Sequence, residues 1–304
     1  MSNILEGLLK AVSDWNGGFA GAFNIRENGQ CAGRRSTEHI KIESKKDLPG
    51  MDVRILPGTK GETVSIPACV THGDVDDLVY NDFYVGAGAD VTIVAGCGVH
   101  TQNGEPARHS GVHRFFLEKG ARVLYEEKHV GTGGEGVRTI DPVTEIFLEE
   151  DAALNMDTVQ IGGVDRTQRR TRATLAAGAK LYIHERILTE GTQQAHTEFE
   201  VQLNGEGAGV DLISRSVARG ESRQSYRSVI VGNAPCTGHS ECDAIIADSA
   251  TVSAAPELTV NHADAALIHE AAIGKIAGEQ ILKLETLGLT EKEAEDKIIE
   301  GFLR

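Results

Sequence analysis

Gly88-Ala89-Asp90-Val91 is one copy of a short motif that recurs along the middle of the chain. Each copy has a small or acidic residue, an alanine, a variable residue, and a valine or leucine. The other copies are Gly120-Ala121-Arg122-Val123, Asp151-Ala152-Ala153-Leu154, Gly178-Ala179-Lys180-Leu181 and Gly207-Ala208-Gly209-Val210. Successive alanines are separated by 32, 31, 27 and 29 residues. A near-constant period of this length predicts a solenoid, here a β-helix.

The surroundings of the repeat are typical of strands. From residue 20 to about 268, short β-branched runs alternate with Gly and Asn, so we predict an all-β core over 20–268. Aromatic residues make up 5% of the chain while glycine accounts for 35 residues, so the core must consist of closely stacked Val, Ile, Leu and Ala. A β-sandwich also has regularly spaced turns; the repeat favours the β-helix but does not exclude the sandwich.

Both ends of the chain have helical patterns. In the N-terminal segment, residues 1–19, apolar side chains from Ile4 to Trp15 recur at helical spacing. In the C-terminal segment, residues 269–304, Thr290 is predicted to be an N-cap with Glu293 at the capping-box position. We expect these helical segments to cap the two ends of the solenoid.

Charge and cysteine content limit the classes of function. The chain has 30 basic and 45 acidic residues, and the resulting net charge of −15 argues against nucleic acid or an anionic membrane as a partner. No apolar run approaches a membrane span of roughly 18 residues, and Glu6 and Lys10 interrupt the region where a signal sequence would lie. The five cysteines are few and scattered, which indicates reduced thiols and a cytoplasmic protein.

The best candidates for chemistry lie near the end of the β region. Cys242 stands between two acids in a polar segment, and His269-Glu270 follows 27 to 28 residues later. Thiolate, imidazole and carboxylate are the groups that ligate iron or zinc, so we predict a site formed by Cys242, His269 and Glu270. Cys236-x2-His239-x2-Cys242 adds two further metal-ligand candidates, although it lacks the second Cys pair of a zinc ribbon. A surface loop with an incidental histidine is the competing interpretation, and His269 alone would be structural.

Other chemically suggestive residues have plainer interpretations. Cys97 lies in an apolar run and is predicted to be a core residue, while His100, His109 and His113 are assigned to solvated loops. The arginines at 166, 169, 170 and 172 form a basic cluster in an acidic chain. They are interpreted as a solvated strand face, with a surface for an anionic partner as the alternative.

The C-terminal third contains an ordered set of motifs: Ser214-Arg215-Ser216, Gln224-Ser225-Tyr226-Arg227, Glu241-Cys242-Asp243-Ala244-Ile245-Ile246, Pro256-Glu257-Leu258, His269-Glu270-Ala271-Ala272-Ile273-Gly274-Lys275-Ile276, Gly288-Leu289-Thr290-Glu291-Lys292-Glu293-Ala294 and Gly301-Phe302. This set resembles the SufB/SufD family, the scaffold subunits of the SUF iron–sulfur cluster assembly system. The repeat region resembles the family more loosely.

The resemblance implies a right-handed parallel β-helix whose C-terminal helices dock a cytosolic ABC-type ATPase. Cys242 and Glu270 occupy positions that are implicated in cluster assembly in the B subunits, and His269 is nearest to the functional histidine of the D subunits. The chain is shorter than the larger B subunits and does not show their N-terminal cysteine-rich motif. Because it has both Cys242 and Glu270, we expect a compact, B-like scaffold that pairs with itself.

The expected function is that of an assembly scaffold rather than a conventional enzyme. Two copies, or this chain and a related one, would bring Cys242, His269 and Glu270 to a shared interface. There a transient iron–sulfur cluster would form with sulfur from a separate donor, and the ATPase would control access. The alternative is a non-catalytic, D-like partner subunit that binds the ATPase without holding the cluster. A carbohydrate-active β-helix enzyme ranks last, because paired acids on one exposed face are not evident.

Overall fold

A computed structural model describes residues 2–304, and this part of the chain forms a β-solenoid of about 8 turns with three short helices. Two sheets make up the walls of the solenoid, and strands account for 58% of the structure. Neighbouring strands in the repeat region are parallel, and each pairs with a strand from the next turn rather than with its neighbour in sequence. The predicted parallel β-helix is therefore confirmed, and the antiparallel sandwich is excluded.

The strands of the two sheets alternate along the repeat region. The first sheet contains β1 (Ala22–Glu27), β2 (Gln30–Arg35), β5 (Lys60–Val70), β7 (Asp90–Thr101), β9 (Arg122–Gly133), β12 (Ala153–Ile161), β14 (Lys180–Thr189), β16 (Gly209–Ala218), β18 (Thr237–Ile246) and β20 (Ala266–Gly274). The second sheet contains β3 (Ile40–Ser44), β4 (Gly50–Ile55), β6 (Val75–Val85), β8 (Ala107–Leu117), β10 (Arg138–Ile140), β11 (Val143–Leu148), β13 (Arg166–Leu175), β15 (Gln194–Leu203), β17 (Arg223–Gly232) and β19 (Thr251–Val260). The helices are α1 (Asn3–Val12), α2 (Gly278–Glu285) and α3 (Glu291–Phe302).

The recurring alanine motif marks the turn that leads into a strand of the first sheet. The alanines at 89, 121, 152, 179 and 208 are completely buried. The residue before each of them has a positive φ, between 57° and 72°. Glycine adopts this conformation without strain and aspartate tolerates it, which explains why these two residue types fill the position. The space inside the stacked turns at this position fits a methyl group, which explains why alanine follows.

The N-terminal end of the solenoid is closed by antiparallel pairs. β1 pairs with β2 and β3 pairs with β4 in this orientation, so each sheet ends in a hairpin-like edge. Helix α1 does not cover this end, which differs from the expected cap. It lies along the outer face of the first sheet, where its buried Leu5, Leu8 and Leu9 pack around Cys69. Gly96 permits this approach, because a Cβ there would collide with the carbonyl of Val12.

The C-terminal helices also pack on the flank of the solenoid. Ile299 and Leu303 contact Val217 of β16 and Ile245 of β18 on the outer face of the first sheet. The predicted capping box is confirmed, since Thr290 Oγ1 accepts from the backbone N–H of Glu293 and the Glu293 carboxylate accepts from the N–H of Thr290. Residues 269–274 belong to the last strand, so the β core continues beyond the predicted boundary at 268.

The C-terminal end of the solenoid, formed by β19 and β20, is left open by this arrangement. Both strands are edge strands, and most of their residues are exposed. Among residues 2–304, no helix is both long and apolar enough to cross a membrane.

Candidate functional site

Cys242 lies inside the solenoid, one strand before the open end. Side chains alternate between the two faces of β18, and Gly238, Ser240, Cys242 and Ala244 are the buried ones. Cys242 is 1% exposed, and burial raises the pKa of its thiol to about 12. The nearby Glu185 and Asp243 act in the same direction, because negative charge disfavours the thiolate. The thiol is therefore protonated at neutral pH and unreactive while the end of the solenoid keeps this form.

The last strand, β20, places its two predicted site residues on opposite faces. Ser240 is the register partner of His269, and Cys242 is the partner of Ala271, so these four residues face the interior. Glu270 is the partner of Glu241 and is exposed on the outer face. The structure thus brings His269 and Cys242 to the same face. Within one chain it does not bring Glu270 to them, since Glu270 lies on the opposite face of the strand.

His269 has a free ligand atom. Its Nδ1 is buried and has no hydrogen-bond partner within the described residues. A buried polar atom is nearly always paired, and an unpaired one costs about 1–3 kcal/mol of stability. An imidazole nitrogen left in this state near a cysteine, at an open end, is suited to accept a metal ion.

Cys236 and His239 do not join Cys242. Cys236 is buried at the turn before β18. Its backbone continues the hydrogen bonds that link the alanine turns: the N–H of Thr237 donates to the carbonyl of Ala208, and the N–H of Ala266 donates to the carbonyl of Cys236. Its side chain fills the position that alanine occupies in earlier turns. His239 lies on the outer face, where Nδ1 is 2.8 Å from Oδ1 of Asp211. Six residues of strand separate the two cysteines by about 20 Å, too far for one metal site.

A single chain does not provide a complete ligand set. Within residues 2–304, no group of three or more His, Cys, Asp or Glu side chains is arranged to hold a metal ion. Around Cys242 and His269 the interior supplies hydroxyl groups instead. Ser240 Oγ lies 2.9 Å from the Tyr226 hydroxyl and 3.0 Å from Ser228 Oγ, and all three side chains are buried.

Sequence reasoning missed a column of polar side chains that continues from this layer into the interior. Ser214, the register partner of Cys242, donates to Oε2 of Glu185 at 3.1 Å. Oε1 of Glu185 lies 3.1 Å from Nε of Arg169, and Nη1 of Arg169 lies 2.8 Å from Oε2 of Glu127. Arg169 is only 5% exposed, so its assignment to a solvated strand face was wrong.

The column extends toward the N-terminal turns. The Tyr125 hydroxyl donates to Glu127 and accepts from Nδ1 of His113 at 2.9 Å. His109 Nδ1 lies 3.0 Å from Asp77, which also binds Arg26 at 2.6 Å. His109 and His113 are buried in β8, so their assignment to loops was also wrong.

Cys97 borders the same column and is buried, as predicted for a core residue. Burial raises the pKa of its thiol, and the charge of Glu127 adds to this effect. Strand alternation is the signal that could have revealed the column. In a strand, every second side chain faces the same way. Counted in steps of two from buried residues of the same strand, Glu127 and His129 in β9 and Arg169 in β13 all fall on the inner face.

The open end itself is apolar. The inner positions of β19 include Leu258 and Val260, which follow the buried Ile230 and Gly232 of β17 in register. Both are large apolar residues exposed to solvent. The edges of β19 and β20 also present unpaired backbone groups, and such edges readily pair with another chain. The end of the solenoid therefore has the properties of an interface.

Comparison with known proteins gives consistent matches. A family model described as "SUF system FeS cluster assembly, SufBD core domain" matches residues 80–302. The chain is 30% identical over 267 residues to an iron–sulfur cluster assembly SufBD family protein homolog of Methanothermobacter thermautotrophicus, covering 86% of this chain and 64% of that protein. It is 30% identical over 269 residues to a SufBD family protein of Archaeoglobus fulgidus, covering 88% and 71%. A third relative, from Methanocaldococcus jannaschii, is 25% identical over 272 residues, covering 88% and 85%. The chain thus spans a little under two thirds of the length of the first of these relatives.

Proposed function

The chain belongs to the SufBD family of iron–sulfur cluster assembly proteins, and on this basis we propose that it is a scaffold on which a transient cluster is built. The site is the open C-terminal end of the solenoid, with Cys242 and His269 as ligands. The cluster is cargo that forms from iron and from sulfur supplied by a separate donor, and it leaves the protein afterwards.

One observation carries the proposal. The buried Nδ1 of His269, which has no partner among the described residues, faces the interior beside the alanine that covers Cys242. Imidazole and thiolate both ligate iron, and the thiol loses its proton when a metal binds. The two side chains stand within the neighbouring strands β18 and β20, and the register places His269 two residues from the position directly opposite Cys242.

A second chain completes the ligand set in this proposal. One chain contributes one thiol and one imidazole at its end, fewer than the four ligands that iron–sulfur clusters usually have. Two open ends that pair through β19 and β20 double the number of ligands and bury Leu258 and Val260. A homodimer meets this need, as does a heterodimer with a related chain.

Access to Cys242 requires movement, and in this proposal the C-terminal helices cause it. Helix α3 packs on Ile245, three residues after Cys242 in the same strand, and Asp296 of α3 lies 3.1 Å from Nη2 of Arg219. Helix α2 has no buried residues; Leu282 is 60% exposed and the following Leu287 is 72% exposed. We propose that an ABC-type ATPase docks on these apolar side chains and loosens β18 and β20 as it moves α3.

Glu270 has a different place in this scheme. Its carboxylate lies on the outer face beside Glu241, so it reaches the cluster only if β20 turns or separates from β18. A carboxylate bound in this way is an exchangeable ligand, suited to release of the cargo. Loss of Glu270 would then affect cluster yield less than loss of Cys242.

The D-like alternative is favoured by one observation. Cys242 is shielded and its thiol is held protonated, as expected for a subunit that binds the ATPase without holding the cluster. The two functions differ in what the isolated protein does with iron and sulfide.

The test is anaerobic reconstitution with iron and sulfide, followed by absorption and Mössbauer spectra. Wild type is compared with Cys242→Ser, His269→Ala and Glu270→Ala. Cys236→Ala is the matched control, because it removes a neighbouring thiol and restores the alanine of the other turns. Circular dichroism confirms that each variant is folded.

We expect a cluster on wild type and on Cys236→Ala, its loss in Cys242→Ser, and a clearly lower yield in His269→Ala. A full cluster on folded Cys242→Ser would contradict the site. No cluster on folded wild type, mixed with the ATPase and ATP or alone, would favour the D-like partner subunit.

A further inference from the structure

An open groove of about 730 Å³ lies on the outer face of the second sheet and extends to β19 at the open end of the solenoid. It runs across the beginnings of β8, β10, β13, β15, β17 and β19. One row of register partners forms its floor: Arg108, Thr139, Arg166, Gln194, Arg223 and Thr251. A volume of this size is in the range of small-molecule sites.

Two arginines in the groove lack a counter-charge. Arg108 is neutralised by Asp141, 3.0 Å from its Nη2. In contrast, neither Arg166 nor Arg223 lies within 4.0 Å of a carboxylate in the part of the chain that the structure describes. In a protein with a net charge of −15, two unpaired guanidinium groups on strands separated by one intervening strand, β15, create a local positive field.

The same strands pair their other arginines with acids. Farther along them, Arg172 Nε lies 2.9 Å from Glu200 and Arg227 Nη1 lies 2.6 Å from Glu198. Glu198 and Glu200 stand in β15, between β13 and β17. At the beginning of the same strand, Gln194 and His196 replace acids between the arginine-bearing strands. The chain thus neutralises one half of this arginine surface and leaves the other half open.

We propose that this groove binds a small phosphate-bearing anion, with Arg166 and Arg223 as its charged contacts. Guanidinium groups bind phosphate oxygens in pairs of hydrogen bonds. The remaining lining adds neutral donors, namely the amide of Gln168 and the hydroxyls of Ser225 and Thr251. Two strand spacings separate the arginines by about 10 Å at Cα, so their long side chains converge on one phosphate or bind the two ends of a diphosphate. This site is independent of the proposed cluster site.

The test is titration calorimetry with pyrophosphate at low ionic strength. We expect saturable binding to wild type, at least 10-fold weaker binding to Arg166→Gln and to Arg223→Gln, and no measurable binding to the double variant. Arg172→Gln is the matched control, because it removes an arginine of the same strand that is already paired, and its affinity should equal that of wild type. These side chains are exposed, and circular dichroism checks the fold of each variant.

Two further ligands test whether the groove prefers phosphate to other anionic groups. Citrate tests carboxylates, and a hexaglutamate peptide tests an acidic protein segment; both should bind at least 10-fold more weakly than pyrophosphate. Equal or tighter binding of either one overturns the assignment to phosphate. Absence of saturable binding to wild type, or unchanged binding to the folded double variant, overturns the site.

Discussion

His269 lies in register with Ser240, which places its imidazole on the inner face of the last strand while the adjacent Glu270 faces outward. The imidazole and the Cys242 thiol both face the interior of the solenoid. Chemistry at this end of the molecule therefore depends on access through the open turn formed by β19 and β20.

The Cys242 thiol should resist alkylation in the folded protein. It is buried and its pKa is raised to about 12, whereas Cys31 is exposed on β2. At pH 8 we expect iodoacetamide to modify Cys31 at least 10-fold faster than Cys242, measured by mass spectrometry of tryptic peptides. Unfolding in urea should abolish the difference. Equal rates in the folded protein would mean that the last turn is already open.

Pairing through the open end should depend on its apolar inner positions. We expect Leu258→Glu to shift the protein from dimer to monomer, because the substitution buries a carboxylate at the proposed interface. Leu282→Glu is the control, since it places the same charge on α2, which packs against α3. Analytical ultracentrifugation of both variants and wild type gives the oligomeric state. A dimer that survives Leu258→Glu would place the contact elsewhere.

Arg169 should be important for stability although it lies in an arginine-rich segment. Arg169→Met leaves Glu127 and Glu185 buried without their shared counter-charge, and we expect a loss of about 3–5 kcal/mol in the free energy of unfolding at pH 7. Arg172→Met, which removes an exposed arginine paired with Glu200, should cost less than about 1 kcal/mol. Urea denaturation measures both variants.

The pH dependence of the Arg169 variant provides a second check. Without the guanidinium the pKa values of both buried carboxyls rise, so the folded form binds protons more readily than the unfolded one. The stability difference from wild type should then shrink as the pH falls toward 5. Equal losses in the two arginine variants would contradict the buried ion triad.

The solenoid could be predicted from the sequence because its determinant is local. Each turn needs a positive φ followed by a residue small enough to stack inside, and Gly178-Ala179 meets both needs. The repeat period could therefore be recognised from the amino-acid sequence alone. The position of α1 could not be predicted, because it depends on a distant residue: Gly96, 84 residues after Val12, leaves room for the Val12 carbonyl.

The number of residues in one turn of the solenoid decides which side chains of β18 and β20 lie on the same face. Glu241 and Glu270 are register partners 29 residues apart, so residues separated by 29 share a face in this turn. Cys242 and Glu270 are 28 residues apart, one fewer than this spacing, so their side chains lie on opposite faces. Residue types identified the right strands, but only the register reveals which side chains meet. Similarly, Arg169 and Arg170 are neighbours that face opposite ways, and only alternation counted from the apolar Ala173 and Leu175 would have assigned Arg169 to the inner face.

His113 should make the stability of the protein depend on pH. Its imidazole is buried between Phe83 and Tyr125, and burial lowers its pKa to about 4. In the unfolded chain the pKa is about 6.5. The neutral form therefore contributes stability above pH 6.5, and this contribution is lost as the pH falls toward 4, because the unfolded chain then binds a proton that the folded one does not.

From pH 7 to pH 5 we expect His113 to account for a loss of about 2 kcal/mol in the free energy of unfolding. His113→Phe keeps an aromatic ring beside Phe83 and should reduce the dependence in this range, whatever its effect at pH 7. His262→Gln, which replaces a half-exposed histidine on the surface, is the control for the removal of one histidine. Urea denaturation at both pH values measures the three proteins. A buried neutral imidazole must contribute to the loss of stability between pH 7 and pH 5. If His113→Phe loses as much stability over this range as wild type, the pH dependence originates in other groups and the prediction is wrong.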